Sequence, residues 1–543
     1  MARSDAAPVT RRAFVLACLV LAMGLAAVEG TIVATAMPSI VAGLGGFEYY
    51  AWVFSSFLLA QAVSTPIFGR VADVYGRKPV LIWGLVVFLA ASIACGFATT
   101  MPLLVAFRLF QGLGAGAIYP MVSTLAGDLY DVRERGRVQG YLASVWGISA
   151  VIGPVIGGAL IAGPGWPWIF WFSVPLGIVA IFGLRAYLHE STDTRERSID
   201  LAGAALFFVA LSVGMLVLTQ GPSWGLATSA VLLAVAVAFA LAFSRRQRVA
   251  PEPLIGFDLW RDPLILVANV ATFAAGLLMI GLVTYAPTYV QGVMGYSPTV
   301  AGLTLTAMSL GWPLASTLAG RLLVPWGPAW TARAGGAAAL VGGVFYLLLS
   351  PERGPWWVAA GSFFVGVGMG FINTTMIVTI QTIVPWARRG VGTATNMLMR
   401  ILGNAVGAAM LGGILNVALV RGVRSLETAA GGDAGGAAGA ASGAAAGAAG
   451  AAGSTGAQAS DVSEALRRIE QLMTRGEAGA SVDGAAGAGA SAGVGSPLAA
   501  SALDADLLPV LVSGLHTVYV AVFVAAVLVF VLTWSLPRGR RLV

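Results

Sequence analysis

Gly69-Arg-Val-Ala-Asp73-Val-Tyr-Gly76-Arg77-Lys-Pro79 sets four charges between two strongly apolar stretches, in a 543-residue chain that is only 10% charged. A charged break between two runs that are each long enough to cross a bilayer reads as the connection of a helical hairpin in a membrane. Gly69 and Gly76 allow a tight turn with positive φ. Asp73 and Arg77 stand four apart, the spacing at which opposite charges meet on a helical turn.

The composition around that loop fixes the class. With 58% hydrophobic residues and a mean hydropathy of +0.86, the chain carries more apolar surface than a soluble core of this length can bury, so an all-α polytopic membrane protein is expected. About 20 apolar residues cross the hydrocarbon. By that ruler fourteen transmembrane helices are predicted, at 14–43, 49–69, 80–97, 102–128, 137–162, 166–188, 200–220, 225–244, 263–292, 298–323, 331–350, 355–384, 389–420 and 508–536. The first run is too long for a signal peptide and has no small-x-small exit. An even count puts both termini, 1–13 and 537–543, on one side. The connections on that side hold Arg70, Arg77, Lys78, Arg133, Arg135, Arg185, Arg245, Arg333, Arg388 and Arg389, whereas the short loops opposite hold only Arg353. Both termini are therefore expected in the cytoplasm. The formal charge of +7 reflects orientation and contact with anionic membrane lipids, and gives no support to nucleic-acid binding.

Catalytic and metal chemistry find little footing. Cys18 and Cys95 lie inside apolar runs, and His189 and His516 are the only histidines. No G-x-x-x-x-G-K-[ST] phosphate loop occurs, so neither ATP nor another cofactor is expected, and no metal. One segment departs from the membrane pattern: 427–505 is dominated by Gly, Ala and Ser and reads as a flexible extracytoplasmic insertion. Within it Asp461 and Glu464 have capping-box spacing, and Val462, Leu466, Ile469 and Met473 recur at helical intervals, so an amphipathic helix is expected over 461–475. It either lies on the membrane or the bundle, or docks a periplasmic partner protein.

The opening motif, extended to Leu81 as Gly-x-x-Ala-Asp-x-x-Gly-Arg-Lys-x-x-Leu, resembles the loop between helices two and three of the major facilitator superfamily, with Val71 and Val74 in place of the usual Leu and Arg. The resemblance implies a cytoplasmic gate of Gly69, Asp73, Gly76 and Arg77 with Asp128 at the end of helix four, locking an outward-facing state. Arg108-Leu-Phe-Gln111-Gly-Leu-Gly114 in helix four is similar to the family's buried-arginine motif. A charge inside a span is a functional hypothesis by default, and the alternative is an arginine that snorkels to the outer interface.

Helix five carries Ser149, Gly153, Pro154, Gly157 and Gly158, a small-residue pattern that lets helices approach and resembles the exporter motif of the family. In helix one, Glu29-Gly-Thr-Ile-Val-Ala-Thr-Ala-Met-Pro38-Ser-Ile40 resembles the signature of the fourteen-helix drug:proton antiporter branch, with Glu for the commoner Asp. Glu29 is the one acid placed near the middle of a predicted span, where a carboxyl that takes up and releases a proton would supply coupling, with Arg108 beside it in role. The alternative is a permanently paired or protonated structural Glu. Weaker candidates for a substrate cavity are Gln61, Gln111, Tyr285, Asn373, Gln381, Asn396, Arg400 and Asn404, each otherwise satisfied between helices; Arg400 either meets an anionic group or pairs with Glu29 in one state.

The resemblance also implies two six-helix bundles, 14–188 and 263–536, with 200–245 as an extra pair between them. Gly320-Arg-Leu-Leu-Val-Pro-Trp-Gly327 echoes the Gly69–Gly76 spacing without the Asp. The reading is a monomeric, proton-coupled exporter of lipophilic small molecules, driven by the proton gradient. Thirty arginines against one lysine suit a bacterial inner membrane. Two alternatives stay open. One is export of a lipid or lipid-like metabolite with an extracytoplasmic partner, since no second mid-membrane acid is available to hold a cationic drug. The other is a non-transporting scaffold or receptor, which Glu29, Arg108 and the exporter motif disfavour.

Overall fold

The computed structural model describes residues 11–45, 49–190, 200–224, 226–250, 258–296, 298–435 and 507–537. In chain order the helices are α1 Arg12–Leu44, α2 Tyr50–Tyr75, α3 Arg77–Gly96, α4 Met101–Leu129, α5 Val132–Ala162, α6 Trp168–Trp171, α7 Ser173–Tyr187, α8 Leu201–Trp224, α9 Leu226–Val249, α10 Pro263–Gly292, α11 Pro298–Leu347, α12 Pro355–Ile383, α13 Arg389–Gly435 and α14 Leu507–Trp534. Ten of the described helical stretches are long and apolar enough to cross a membrane. Helices are the outcome because hydrocarbon offers no partner for backbone N–H and C=O groups.

The predicted 70–79 loop shrinks to one residue. α2 runs on through Gly69 and Asp73, and Gly76 alone breaks it, at φ 95° with its N–H on the Ala72 carbonyl. Asp73 therefore sits on a rigid helical turn. The echo in the second half repeats the break: α11 bends at Gly327, φ 73°, where the sequence predicts two separate helices. α13 extends to Gly435, into the segment expected to be linker. The rest of the insertion, including 461–475, and the terminal stretches 1–10 and 538–543 lie outside the described residues.

Buried side chains gather in separate cores. Two clusters, around Leu19, Phe88 and Met121 and around Ile32, Ile40 and Phe170, hold α1–α7 together, and one around Leu278, Tyr346 and Val522 holds α10–α14. α8 and α9 form a hairpin tied by Phe207 on Phe243 and by Arg246 on Asp200 at 3.0 Å. It attaches through a small cluster with Leu398 of α13. The end of the bundle that carries Arg77, Lys78, Arg135, Arg185, Arg388 and Arg389 is referred to below as the basic end.

Glycines set how closely the first half, α1–α7, meets the second, α10–α14. A Cβ at Gly136 of α5 would overlap the backbone of Gly320 of α11, and one at Gly140 would fall 2.6 Å from Thr317 Oγ1. Gly147 repeats the contact on the Ser309 carbonyl. On the opposite flank Gly69 of α2 faces Gly390 and Ala394 of α13. Gly69 is thus needed for close approach, since its backbone is helical.

Candidate functional site

Glu29 is the eighteenth residue of the 33-residue α1, about 26 Å from its start at 1.5 Å per residue. Its Oε1 lies 3.1 Å from Arg108 Nη1 of α4, and both side chains are 1% exposed. The sequence alternative of a snorkelling Arg108 is thereby excluded in this structure. The guanidinium has further partners: Nη1 also donates to Gln111 Oε1 at 2.7 Å, Nε donates to the Val53 carbonyl at 3.2 Å, and its Cζ lies 4.3 Å from the Phe57 ring centre. Gln111 Nε2 in turn donates to Ser92 Oγ at 2.7 Å. Four helices, α1 to α4, thus meet on one buried pair. Neither charge is tolerable alone at this depth, because losing one partner strands the other in low dielectric. Gln111 belongs to this network and not to a substrate cavity.

At the basic end the two halves are clasped. Asp73 accepts the N–H groups of Gly390 and Val391 at 2.9 and 2.8 Å, which places a carboxylate on the first turn of α13. Arg77 stands 3.4 Å from Asp73 and 3.2 Å from Asp128, donates to the Trp386 carbonyl at 2.6 Å and covers the Trp386 ring at 4.1 Å. Asp128 also pairs with Arg389 of the second half. Just inside this layer Gln381 Nε2 donates to the Ser123 carbonyl at 3.0 Å, and Arg135 Nη1 donates to Thr382 Oγ1 at 3.3 Å. The expected set Gly69, Asp73, Gly76, Arg77 and Asp128 is brought together. Trp386, Arg389 and Gly390, which complete it, belong to a distant part of the chain, and their one sequence signal was the Arg388-Arg389-Gly390 cluster at the start of α13.

The small-residue motif of α5 packs within its own half. Thr31 Oγ1 of α1 donates to the Ser149 carbonyl at 3.0 Å, and Gly153 sits against Thr31, where a Cβ would clash. Gly157 is buried, whereas Gly158 faces open space, so it mediates no close approach. Pro154 lies in the same helix, its side chain outside the described residues. The contact from α5 to the other half is made by Gly136, Gly140 and Gly147, whose spacing of four and seven was readable as a second stripe.

Between the halves lies a narrow pocket of about 40 Å³, lined by Tyr119, Ser123, Gln139, Trp146, Asn373 and Arg400 among others. Tyr119 stacks on Trp146 at 5.3 Å. Of the eight expected cavity residues, Asn373 and Arg400 line it, and Gln381 reaches Ser123 at its edge. Arg400 has no carboxylate partner among the described residues, and Glu29 is paired with Arg108 instead. The others point elsewhere. Tyr285 is core, its carbonyl accepting Tyr519 Oη at 2.9 Å. Asn396 ties α13 to α10 through Asn269 Oδ1 at 3.1 Å and Thr272 Oγ1 at 3.0 Å. Gln61 is buried under α4, and Asn404 packs on Gly276. Tyr119 and Trp146 were missed, because an aromatic residue in a span reads equally well as core. Among the described residues no group of three or more His, Cys, Asp or Glu side chains could hold a metal ion.

A family model described as Major Facilitator Superfamily matches residues 19–408, which takes in the paired charges, the clasp and the pocket. The chain belongs to the Major Facilitator Superfamily. It is 33% identical over 402 residues to Multidrug resistance protein 3 of Bacillus subtilis (strain 168), covering 74% of this chain and 78% of that protein. It is 31% identical over 412 residues to Multidrug transporter protein MdtP of the same strain, covering 75% and 76%. The fold is shared with the human organic anion transporter MFSD10 (TETRAN) at a TM-score of 0.58 and 15% identity, over 74% of this chain and 94% of that one. Membership makes this a multi-pass membrane transporter built on the superfamily fold.

Proposed function

We propose that the protein is a proton-coupled exporter of lipophilic small molecules that works by alternating access. The observation that carries it is the buried Glu29–Arg108 pair, an acid and its counter-charge joined in mid-bundle, where ionisable groups are costly to place and point to function. Protonation of Glu29 would release Arg108 from it, and the α1–α4 network would rearrange. The names borne by the bacterial relatives favour drugs as cargo. The clasp at the basic end is read as the cytoplasmic gate in an outward-facing state, with both termini in the cytoplasm of a bacterial inner membrane and fourteen crossings. Ser149 and Gly153 of the α5 motif, packed on Thr31, are then the joint along which α1 moves on α5. No cofactor is needed beyond the proton gradient, and a monomer suffices.

The test is transport in proteoliposomes. Wild-type protein should acidify or alkalinise the lumen on addition of a lipophilic drug, and Glu29→Gln should insert and fold but abolish that flux. Undiminished substrate-induced proton movement in the variant would sink the reading.

A further inference from the structure

Arg400 is the one charged side chain lining the pocket between the halves. It stands about 17 Å along α13 from Arg389 at 1.5 Å per residue, so its charge is held at mid-membrane depth. Among the described residues its guanidinium makes no hydrogen bond, no ion pair and no ring contact. By contrast, Arg108 is spent on Glu29, Arg77 on Asp73 and Asp128, and Arg333 on the Trp534 and Leu536 carbonyls. A cation without a counter-charge at this depth is costly, and marks a site where an anion is received. The rest of the lining agrees. It holds no Asp or Glu: α1 contributes Met23, while Glu29 is turned to Arg108. Gln139 Nε2 is satisfied by Ser123 Oγ at 3.0 Å, but the Asn373 amide and Tyr119 Oη make no hydrogen bond to another described residue. Three sets of donors, from α4, α12 and α13, are therefore left unspent around a space of about 40 Å³. At about 10–15 Å³ for each water-sized group, that space takes a head of some three heavy atoms.

We propose that this pocket binds aromatic carboxylic acids as their anions, with the carboxylate on Arg400 and the ring against Trp146 and Trp312. The planar guanidinium fork matches a carboxylate at two points, and a carboxylate has acceptor sites left for the Asn373 amide and the Tyr119 hydroxyl. An amine of the same shape would meet Arg400 as a like charge and find no acid to hold it. A neutral amide would leave the cation uncompensated. The two indoles favour an aromatic body over an alkyl chain, because ring faces and edges pair specifically. The space described takes the head alone. Trp146 lies on α5 and Trp312 on α11, so the ring finds room where the two halves part. That the bound acid is cargo rests on the exporter reading; that the pocket binds it does not.

Equilibrium binding of tritiated naphthoate to the full chain in nanodiscs tests the site, without a gradient and with gluconate as the only other anion. Naphthoate should bind at least about tenfold more tightly than naphthamide or naphthylmethylamine, each measured by competition, as hydrogen bonds to a charged group predict. Arg400→Gln should weaken naphthoate by a similar factor and leave naphthamide unchanged. Equal affinity for naphthoate and naphthamide, or naphthoate binding that persists undiminished in Arg400→Gln, would overturn the proposal. So would complete displacement by chloride in place of gluconate, which would assign Arg400 to an inorganic anion. Should Arg400→Gln fail to insert, Asn373→Asp sets a carboxylate in the same lining and should weaken naphthoate about tenfold relative to naphthamide; an unchanged ratio would equally overturn the site. A wild type that binds naphthoate yet drives no lipophilic solute, naphthoate included, across vesicles would refute the exporter reading and leave the site standing. Export of a lipophilic drug by a protein that does not bind naphthoate would do the reverse.

Discussion

At the scale of single residues, burial decides which charges matter. Glu29 and Arg108 are each 1% exposed and depend on each other, so either change should destabilise, and deleting the arginine should be worse because its contacts with Val53, Gln111 and Phe57 go with it. Arg108→Ala is expected to destabilise by about 3–5 kcal/mol, as breaking a buried pair does, and Glu29→Gln by less, since the amide oxygen still accepts from Arg108 although the guanidinium loses its counter-charge. Thermal unfolding of both variants in detergent checks the order, and equal melting temperatures would contradict it. At the surface, Arg388 donates to Asp258 at 2.5 and 2.8 Å, and that hydrogen bonding holds the Asp258 carboxyl below its ordinary range. A depressed carboxyl contributes stability that is present above its unfolded pKa of about 3.9 and is lost as pH falls through the lower folded value. Asp258→Asn should therefore lower stability slightly at pH 7, by less than about 1 kcal/mol for so exposed a pair, seen as a small drop in melting temperature, and the deficit should shrink below about pH 4. A deficit that grows on acidification would reverse the assignment.

At the scale of helices, the halves meet through glycine and through one carboxylate on a helix start. A side chain at Gly136 has no room against Gly320, so Gly136→Val should hold α5 and α11 apart and abolish transport. Gly158→Ala, in open space only 22 positions along the same helix, should be silent. Asp73→Asn keeps the shape but weakens the hold on the Gly390 and Val391 N–H groups. By the usual worth of a helix-start cap, about 1 kcal/mol, it should shift the balance away from the closed basic end roughly fivefold. Cysteine accessibility from the two sides of oriented vesicles reads that shift, and identical labelling patterns would count against the clasp. The matching position in the second half, four residues after Gly320, is Val324, so the clasp is one-sided although the glycine packing is two-sided.

At the scale of the whole molecule, the transport core is α1–α7 and α10–α14, and the segment from 436 to 506 joins the last two of these helices. Its Gly, Ala and Ser composition offers no large side chains with which to build on either. Replacing it with a short Gly/Ser linker should leave folding and proton-coupled transport by purified protein intact. Lost delivery in cells with intact purified activity would favour a partner bound through 461–475, and loss of purified activity would show that the segment belongs to the transport machinery.

Apolar run length, charge placement and motif spacing were enough to give the membrane class, the approximate helix ends and the residues at the buried pair and the basic end. These properties are local, because a span is defined by its own stretch of about 20 residues and a charge in it is conspicuous wherever it points. The chain alone did not show that Asp73 would hold the start of α13, more than 300 positions away, or that Arg108 rather than Arg400 would be the partner of Glu29. Nor did it separate Asn373 and Arg400, which line the pocket, from Asn396 and Tyr285, which bind helices together. A polar residue on a helix buried all round is satisfied by whichever neighbour the packing brings to it, and the packing is set by shape complementarity among helices far apart in sequence. Gly69 shows the division most plainly. Its presence suggested a turn, and only the approach of Gly390 and Ala394 revealed that the missing side chain, not the backbone freedom, is what the fold requires there.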